Sequence, residues 1–221
     1  MGVKGKIWLF FGLFVVFLAA RLPGMLFKEF GSFSPVYALV FCAGVYLGRK
    51  SSWWLPLGAM ALSDVILNMY YWKNLGWDVW SPSVLRYQLV NYISYVLIIL
   101  LGKQFKPKSS FFSLLGGGIM GALLFYVITN TASWLFNPFG NPEYNHNFLG
   151  WIIAIVKGTG GWPDAWLFFR NTLLSGGIFT ALFVAAAKLA ATAESPVEKE
   201  AGLRAPEKSP EPEELPEEAK A

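Results

Sequence analysis

One carboxylate lies deep inside an apolar run. Asp64, preceded by Ser63 and followed four residues later by Asn68, falls in the stretch 53–71. A carboxylate in that position can hold a proton or meet a polar group on a ligand, which are transport and binding roles, or pair with Arg21, Arg86 or Arg170 merely to hold helices together. The i to i+4 spacing places Asp64 and Asn68 on one helical face. The pattern recurs along the chain. Gln88, Asn91 and Tyr95 share a face, Tyr126, Asn130 and Trp134 follow one another at i+4, Arg170, Asn171 and Ser175 open the last apolar run, and Arg21 closes the first. Arg21, Asp64, Asn68, Asn91, Asn130, Trp134, Arg170 and Asn171 are therefore the candidate substrate-binding set. The excess of arginine over carboxylate suits an anionic group. Trp77, Trp80, Trp134 and Trp162, in or beside long connections, suit a planar, ring-bearing one. One histidine (His146) and one cysteine (Cys42) cannot make a disulfide, a Cys/His zinc centre or an H-E-x-x-H motif. No nucleophile–base pair is visible either, so no catalytic residue, metal or cofactor is expected.

The elements that position these residues follow from composition. The 221 residues are 55% apolar, 17% aromatic and 14% charged, and the mean hydropathy is +0.45. A bilayer is the solvent that fits. Six apolar segments can be drawn, at about 7–22, 35–48, 53–71, 85–101, 111–135 and 166–189, against the ~20 residues a spanning helix needs. The first two are short. The first also resembles a signal peptide, because Lys4 and Lys6 precede an apolar stretch ending in Ala19-Ala20; Leu18 and the following Arg21-Leu22-Pro23 favour its retention as a span. Ser34-Pro35 and Ser81-Pro82 mark helix starts, since proline tolerates the first turn and a preceding hydroxyl can cap it.

Charge sets the expected orientation. With the amino terminus inside, Lys4, Lys6, Arg49, Lys50, Lys103, Lys106, Lys108 and Lys188 lie in the cytoplasm, and Arg21, Lys28, Lys73, Arg86, Lys157 and Arg170 toward the exterior. The long connections 23–34, 72–84 and 136–165 then lie outside, where functional loops are expected, and Gly158–Pro163 has the composition of either a mobile lid or a plain turn. Residues 1–191 hold fourteen Lys and Arg against five carboxylates, a net +9, and residues 192–221 hold four against nine, a net −5. The basic residues sit in clusters between apolar runs, which orients helices and points away from nucleic acid. The last segment, rich in Glu and Pro, reads as a disordered cytoplasmic tail. The expected fold is an all-α polytopic membrane protein, a six-helix transmembrane bundle over 1–191 followed by that tail. Polar outer ends above apolar inner ends describe a binding pocket over a dry, packed half. Small residues every fourth position, at Gly44 and Gly48, Gly117 and Gly121, and Gly177, Ala181 and Ala185, mark close helix packing within the chain in that half, and the same spacing would also serve a contact with a partner subunit.

Several strings resemble a known family. Arg21-Leu22-Pro23, the stretch Phe33-Ser34-Pro35-Val36-Tyr37 with Gly44 and Tyr46, and Leu55-Pro56-Leu57 through Ala61-Leu62-Ser63-Asp64 are similar to an uncharacterised bacterial family of proposed transport membrane proteins, a domain of unknown function. Leu124 to Asn130 with Trp134, and Phe169 to Leu174 with Gly177, resemble its second half, so the likeness covers roughly 20–188. By fold analogy that family resembles the substrate-binding S components of energy-coupling-factor transporters. The resemblance implies a bacterial inner-membrane protein that captures a small organic micronutrient from outside for an energising transporter module. Two departures stand out. The first segment lacks the A-x-x-x-A pattern by which S components meet their membrane partner, since Val16 follows Gly12, and the connection from Trp134 to Arg170 is longer than the family's tyrosine-proline loop. A self-sufficient transporter or channel, with Asp64 carrying protons, and a membrane scaffold are the alternative readings.

Overall fold

The structure is a computed structural model. It describes Ala19 and residues 27–48, 50–138 and 140–203, with side chains described as far as Ala191 save that of Lys28. The first apolar segment, 7–22, and Arg21 lie outside the described residues. All regular structure among the described residues is helical. A 3-10 turn, Lys28–Phe30, precedes α1 (Val36–Tyr46), α2 (Ser51–Leu75), α3 (Pro82–Gly102), α4 (Phe111–Phe136), α5 (Phe148–Val156) and α6 (Ala165–Leu203). Two compact units divide the chain, Met1–Ala187 and Lys188–Ala221, and the side-chain geometry below belongs to the first. Helix α6 runs past the change of composition after Ala191 to Leu203.

Local chemistry explains the boundaries. Pro82 occupies the first turn of α3, where its missing N–H is no loss. Ser110 and Asn147 accept the Ser113 and Gly150 amides at 3.1 and 2.7 Å, capping α4 and α5. Helix α2 stops at Gly76, which takes a left-handed φ of +66° while the Trp77 amide reaches back to the Tyr71 carbonyl. Asn137 ends α4 at φ +38°, and its carboxamide grips both backbone groups of Asn141 at 2.7 and 2.9 Å. The nine-residue α5 lies inside what the sequence presents as one long connection, because nine apolar residues are too few to register as a span.

Three helices are long and apolar enough to cross a membrane: α3, α4 and the stretch Ala165–Ala191 of α6. Their outward faces agree. Leu85, Leu89, Ile93, Leu97 and Leu100 form an exposed apolar stripe along α3, and Leu174, Ile178 and Leu182 a second along α6. The hydroxyls, in contrast, are inside. Ser94, Thr129 and Ser175 are buried and donate to the carbonyls of Val90, Phe125 and Thr172, so their polar groups stay paired away from water. Such a surface suits lipid, and these three buried hydroxyls keep their polarity paired. Helix α2 has the length but carries Ser63, Asp64, Asn68 and Asn74, and the 11-residue α1 rises only ~17 Å at 1.5 Å per residue.

The packed end of the bundle is built on a backbone contact. Gly44 of α1 and Gly102 of α3 face each other so closely that a Cβ on Gly44 would run into the Ile99 carbonyl oxygen, and one on Gly102 into that of Phe41. Gly117 makes room for the Phe41 and Phe105 rings, Gly121 for Ile98, and Gly118 for Thr180. Around this crossing Val40, Phe41, Val45, Ile98, Ile99, Leu114 and Val184 form the buried core. Gly48 meets no neighbour within 4 Å, so its part of the small-residue ridge packs against nothing described. Gly102→Ala should therefore destabilise the protein by about 1–3 kcal/mol, and Gly48→Ala should stay within about 0.5 kcal/mol of the native chain. Thermal unfolding in one detergent compares the two; equal melting temperatures for both variants would contradict the crossing.

Candidate functional site

At the opposite end the helices separate around a cavity of about 390 Å3, within the ~300–1,000 Å3 range of small-molecule sites. Its wall is continuous with the fold just described. Ser32, Phe33 and Ser34 come from the loop before α1, Val36 and Tyr37 from α1, Leu67 and Tyr71 from α2, Tyr87, Asn91 and Tyr95 from α3, Phe125, Tyr126, Thr129 and Asn130 from α4, and Phe168 and Thr172 from α6. Five tyrosines and three phenylalanines dominate it. Among the described residues no Lys, Arg, Asp, Glu or His lines the cavity. Such a wall offers aromatic faces, hydroxyls and two carboxamides, which is equipment for binding a ring.

The rings are ordered against one another. Phe125 stands between Tyr95, stacked at 5.5 Å and 7°, and Tyr37, tilted at 4.9 Å. Tyr71 stacks on Trp77 at 5.1 Å, and Trp77 meets Trp162 edge-on at 6.3 Å, so an aromatic row leads from the cavity wall to two half-exposed tryptophans. The Tyr126 hydroxyl lies 2.6 Å from the Ile155 carbonyl and 2.8 Å from that of Ala165, sharing its one hydrogen between the end of α5 and the start of α6. With Trp151 donating to Thr131 at 3.0 Å, α5 folds back along α4 as the chain returns from its far end.

The eight candidate residues are placed as follows. Asn91 and Asn130 line the cavity. Asp64 and Asn68 turn to the neighbouring face of α2, where Asp64 accepts from the Tyr92 hydroxyl at 2.9 Å and Asn68 from the Gln88 amide at 3.0 Å, two rungs one helical turn apart between α2 and α3. Trp134 donates to the Asn145 carbonyl at 2.7 Å and packs on His146, anchoring the connection that leads to α5. Arg170 lies across Trp166 and donates to the Asn171 carboxamide oxygen at 3.2 Å. Asn171 in turn donates to the Glu29 and Gly31 carbonyls at 2.6 and 3.1 Å. These bonds hold the loop that forms one wall of the cavity, and Tyr37 holds it again through the Ser32 carbonyl at 3.0 Å. Ser32 sits at φ +63°, a left-handed conformation that serine adopts only when its surroundings impose it. Arg21 is outside the described residues.

Of the lining tyrosines, the sequence pattern singles out Tyr95 and Tyr126, beside Asn91 and Asn130, and leaves out Tyr37, Tyr71 and Tyr87. Tyr87 and Tyr95 flank Asn91 one turn to either side. The signal available is a polar residue with an aromatic one four positions before it and another four positions after it. On α3 the register of Tyr87, Asn91 and Tyr95 carries that signal.

The Gly158–Pro163 connection is pinned. Gly158 and Gly161 take φ of +78° and +79°, and the Glu143 carboxylate accepts from the Thr159 hydroxyl at 3.0 Å and the Gly160 amide at 3.1 Å. Backbone amides, its own first and then that of Gly160, hold the Glu143 carboxyl below the usual carboxylate range, with the Thr159 hydroxyl adding to them. A lowered carboxyl pKa means the clamp is complete above the ordinary carboxylate value and is lost as pH falls through the lowered one. Hydrogen exchange of the 159–161 amides, corrected for intrinsic rates, should show protection at pH 7 that is lost only in acid below the ordinary carboxylate value. In Glu143→Ala protection should be absent at both; protection that survives in this variant would contradict the clamp.

Comparison with curated proteins and with solved structures found no match. A family model does match, over more of the chain than the strings that carry the resemblance, and it includes the first apolar segment. The chain belongs to a family of unknown function (DUF6580), whose model matches residues 2–198.

Proposed function

We propose that this protein is a substrate-binding membrane subunit that captures a small organic molecule from the outer side of a bacterial inner membrane for uptake. The observation that carries the reading is the cavity of about 390 Å3 walled by tyrosine, phenylalanine and asparagine at one end of the bundle. A membrane interior rich in hydroxyls and carboxamides is costly unless those groups meet protein or ligand. Below the cavity the Gly44–Gly102 crossing and its aliphatic core fill the space between the described helices, which suits a one-sided receptor better than a through-channel. In this reading the segment 7–22 is the first of six spans, both termini are cytoplasmic, and an energising module resembling that of energy-coupling-factor transporters moves the captured molecule. The protein itself supplies binding and no covalent chemistry.

Asp64 takes a supporting part. Its bond to Tyr92 joins α2 to α3 beside the cavity and holds Tyr92 against Tyr95, ring to ring at 5.7 Å. Arg170 and Asn171 likewise position the wall loop. The alternative of a self-sufficient transporter gives Asp64 a proton-carrying role instead, and uptake into liposomes containing this protein alone would favour that alternative.

Native mass spectrometry of protein purified in mild detergent without added ligand tests the binding reading. The expected result is a discrete small-molecule mass on the native chain that is lost in Tyr71→Ala and retained in Trp54→Ala, whose side chain is 79% exposed on the outside of α2. A bare chain in detergent and again after extraction into nanodiscs would contradict it.

A further inference from the structure

We infer that the cavity takes an uncharged planar ring whose edge carries a carboxamide-like donor and acceptor side by side, and that Asn91 reads that edge. The inference deepens the binding reading above and rests on it. It begins with charge. A carboxylate or phosphate moved from water into this cavity would lose its hydration and find no Lys, Arg or His on the described wall to replace it. A cation would find aromatic faces, which attract it. It would find no carboxylate on the described wall, inside a body whose residues 1–191 carry a net +9. A neutral ligand meets neither penalty.

Shape and hydrogen bonding narrow the class. Tyr87, Asn91 and Tyr95 follow one another at i+4 on the cavity face of α3, so the carboxamide of Asn91 lies between two aromatic side chains one turn above and below it. Among the described residues that carboxamide has no hydrogen-bond partner. It therefore presents an in-plane C=O acceptor and N–H donor together, and the complementary group is another amide edge, met by two parallel hydrogen bonds. Asn130, across the cavity on α4, differs: its Nδ2 already donates to the Tyr126 carbonyl at 2.9 Å. A ring stacked among the tyrosines with its amide edge toward Asn91 uses both resources of this wall. An anionic carboxylate edge would offer no donor to the Asn91 oxygen.

Isothermal titration of the full-length protein in lipid nanodiscs, with three probes of one ring size, tests this. Benzamide is neutral with the required edge, benzoate is its anionic isostere, and phenyltrimethylammonium is a cation without the edge. Benzamide should bind about tenfold tighter than either of the others. Asn91→Asp, which keeps the shape and replaces the donor by an acceptor, should weaken benzamide by about tenfold. Asn91→Leu should do the same, and thermal melts certify that each variant is folded. Benzoate or the cation binding as tightly as benzamide would overturn the ligand class and leave the cavity as a binding site. Benzamide binding unmoved by both substitutions would remove Asn91 from the recognition. Failure of all three probes would also overturn the class, and the ligand mass sought by native mass spectrometry would still decide separately whether the cavity binds at all.

Discussion

The contact of α1 and α3 backbones at Gly44 and Gly102 is the constraint from which the rest of the arrangement follows. A Cβ at either position would meet a carbonyl oxygen, so the two helices touch without side chains between them. Lipid supplies no hydrophobic drive for helices to associate, and close van der Waals packing at small residues takes its place. The crossing fixes Phe41 against Gly117 and Phe105, and Ile98 against Gly121, which closes one end of the bundle. Toward the other end large aromatic side chains replace glycine and hold the helices apart. Tyr37, Tyr95 and Phe125 are the first rings met beyond the closed half, and the cavity opens on them.

A second requirement, that polar groups in an apolar solvent find partners, organises the walls. Helix α3 answers it with two adjacent faces. Gln88 and Tyr92 bond Asn68 and Asp64 on α2, while Tyr87, Asn91 and Tyr95 look into the cavity. The same division recurs on α6, where Arg170 and Asn171 secure the loop after Glu29 and Phe168 and Thr172 line the space. Strong polar residues thus build the frame, and milder ones form the lining.

That division explains what the sequence makes legible. Helices α1 to α4 and the start of α6 lie within a few residues of the apolar segments drawn from hydropathy, since long apolar runs bounded by Ser-Pro, Gly and Asn carry their own limits. Helix α5 escapes, because its nine residues imitate a greasy connection. For the cavity, the end of the bundle and the participating helices are legible from the clustering of polar residues. The inward-facing residues are not legible on α2 and α6. There the lining positions Leu67 and Thr172 are immediate neighbours of Asn68 and Asn171, one residue being a rotation of about 100°, and Tyr71 and Phe168 lie two or three residues from Asn68 and Arg170. Hydrophobic periodicity cannot fix that rotation when lipid and protein interior are both apolar. Glycine shows the same limit: Gly44 and Gly117 stand in visible small-residue ridges, while Gly102, the partner of Gly44 across the crossing, has no such spacing to mark it.

The central claim is that the aromatic cavity faces the outside above a closed, packed half. Accessibility of a single thiol tests it most directly. With Cys42, the one native cysteine, replaced by alanine, Asn91→Cys and Leu114→Cys can each be exposed to a membrane-impermeant maleimide in intact cells. The account predicts that the thiol at position 91 is labelled from outside and that the thiol at 114, fully buried in the core, is labelled from neither side. Labelling of position 91 only in inverted vesicles, or of position 114 in intact cells, would contradict it.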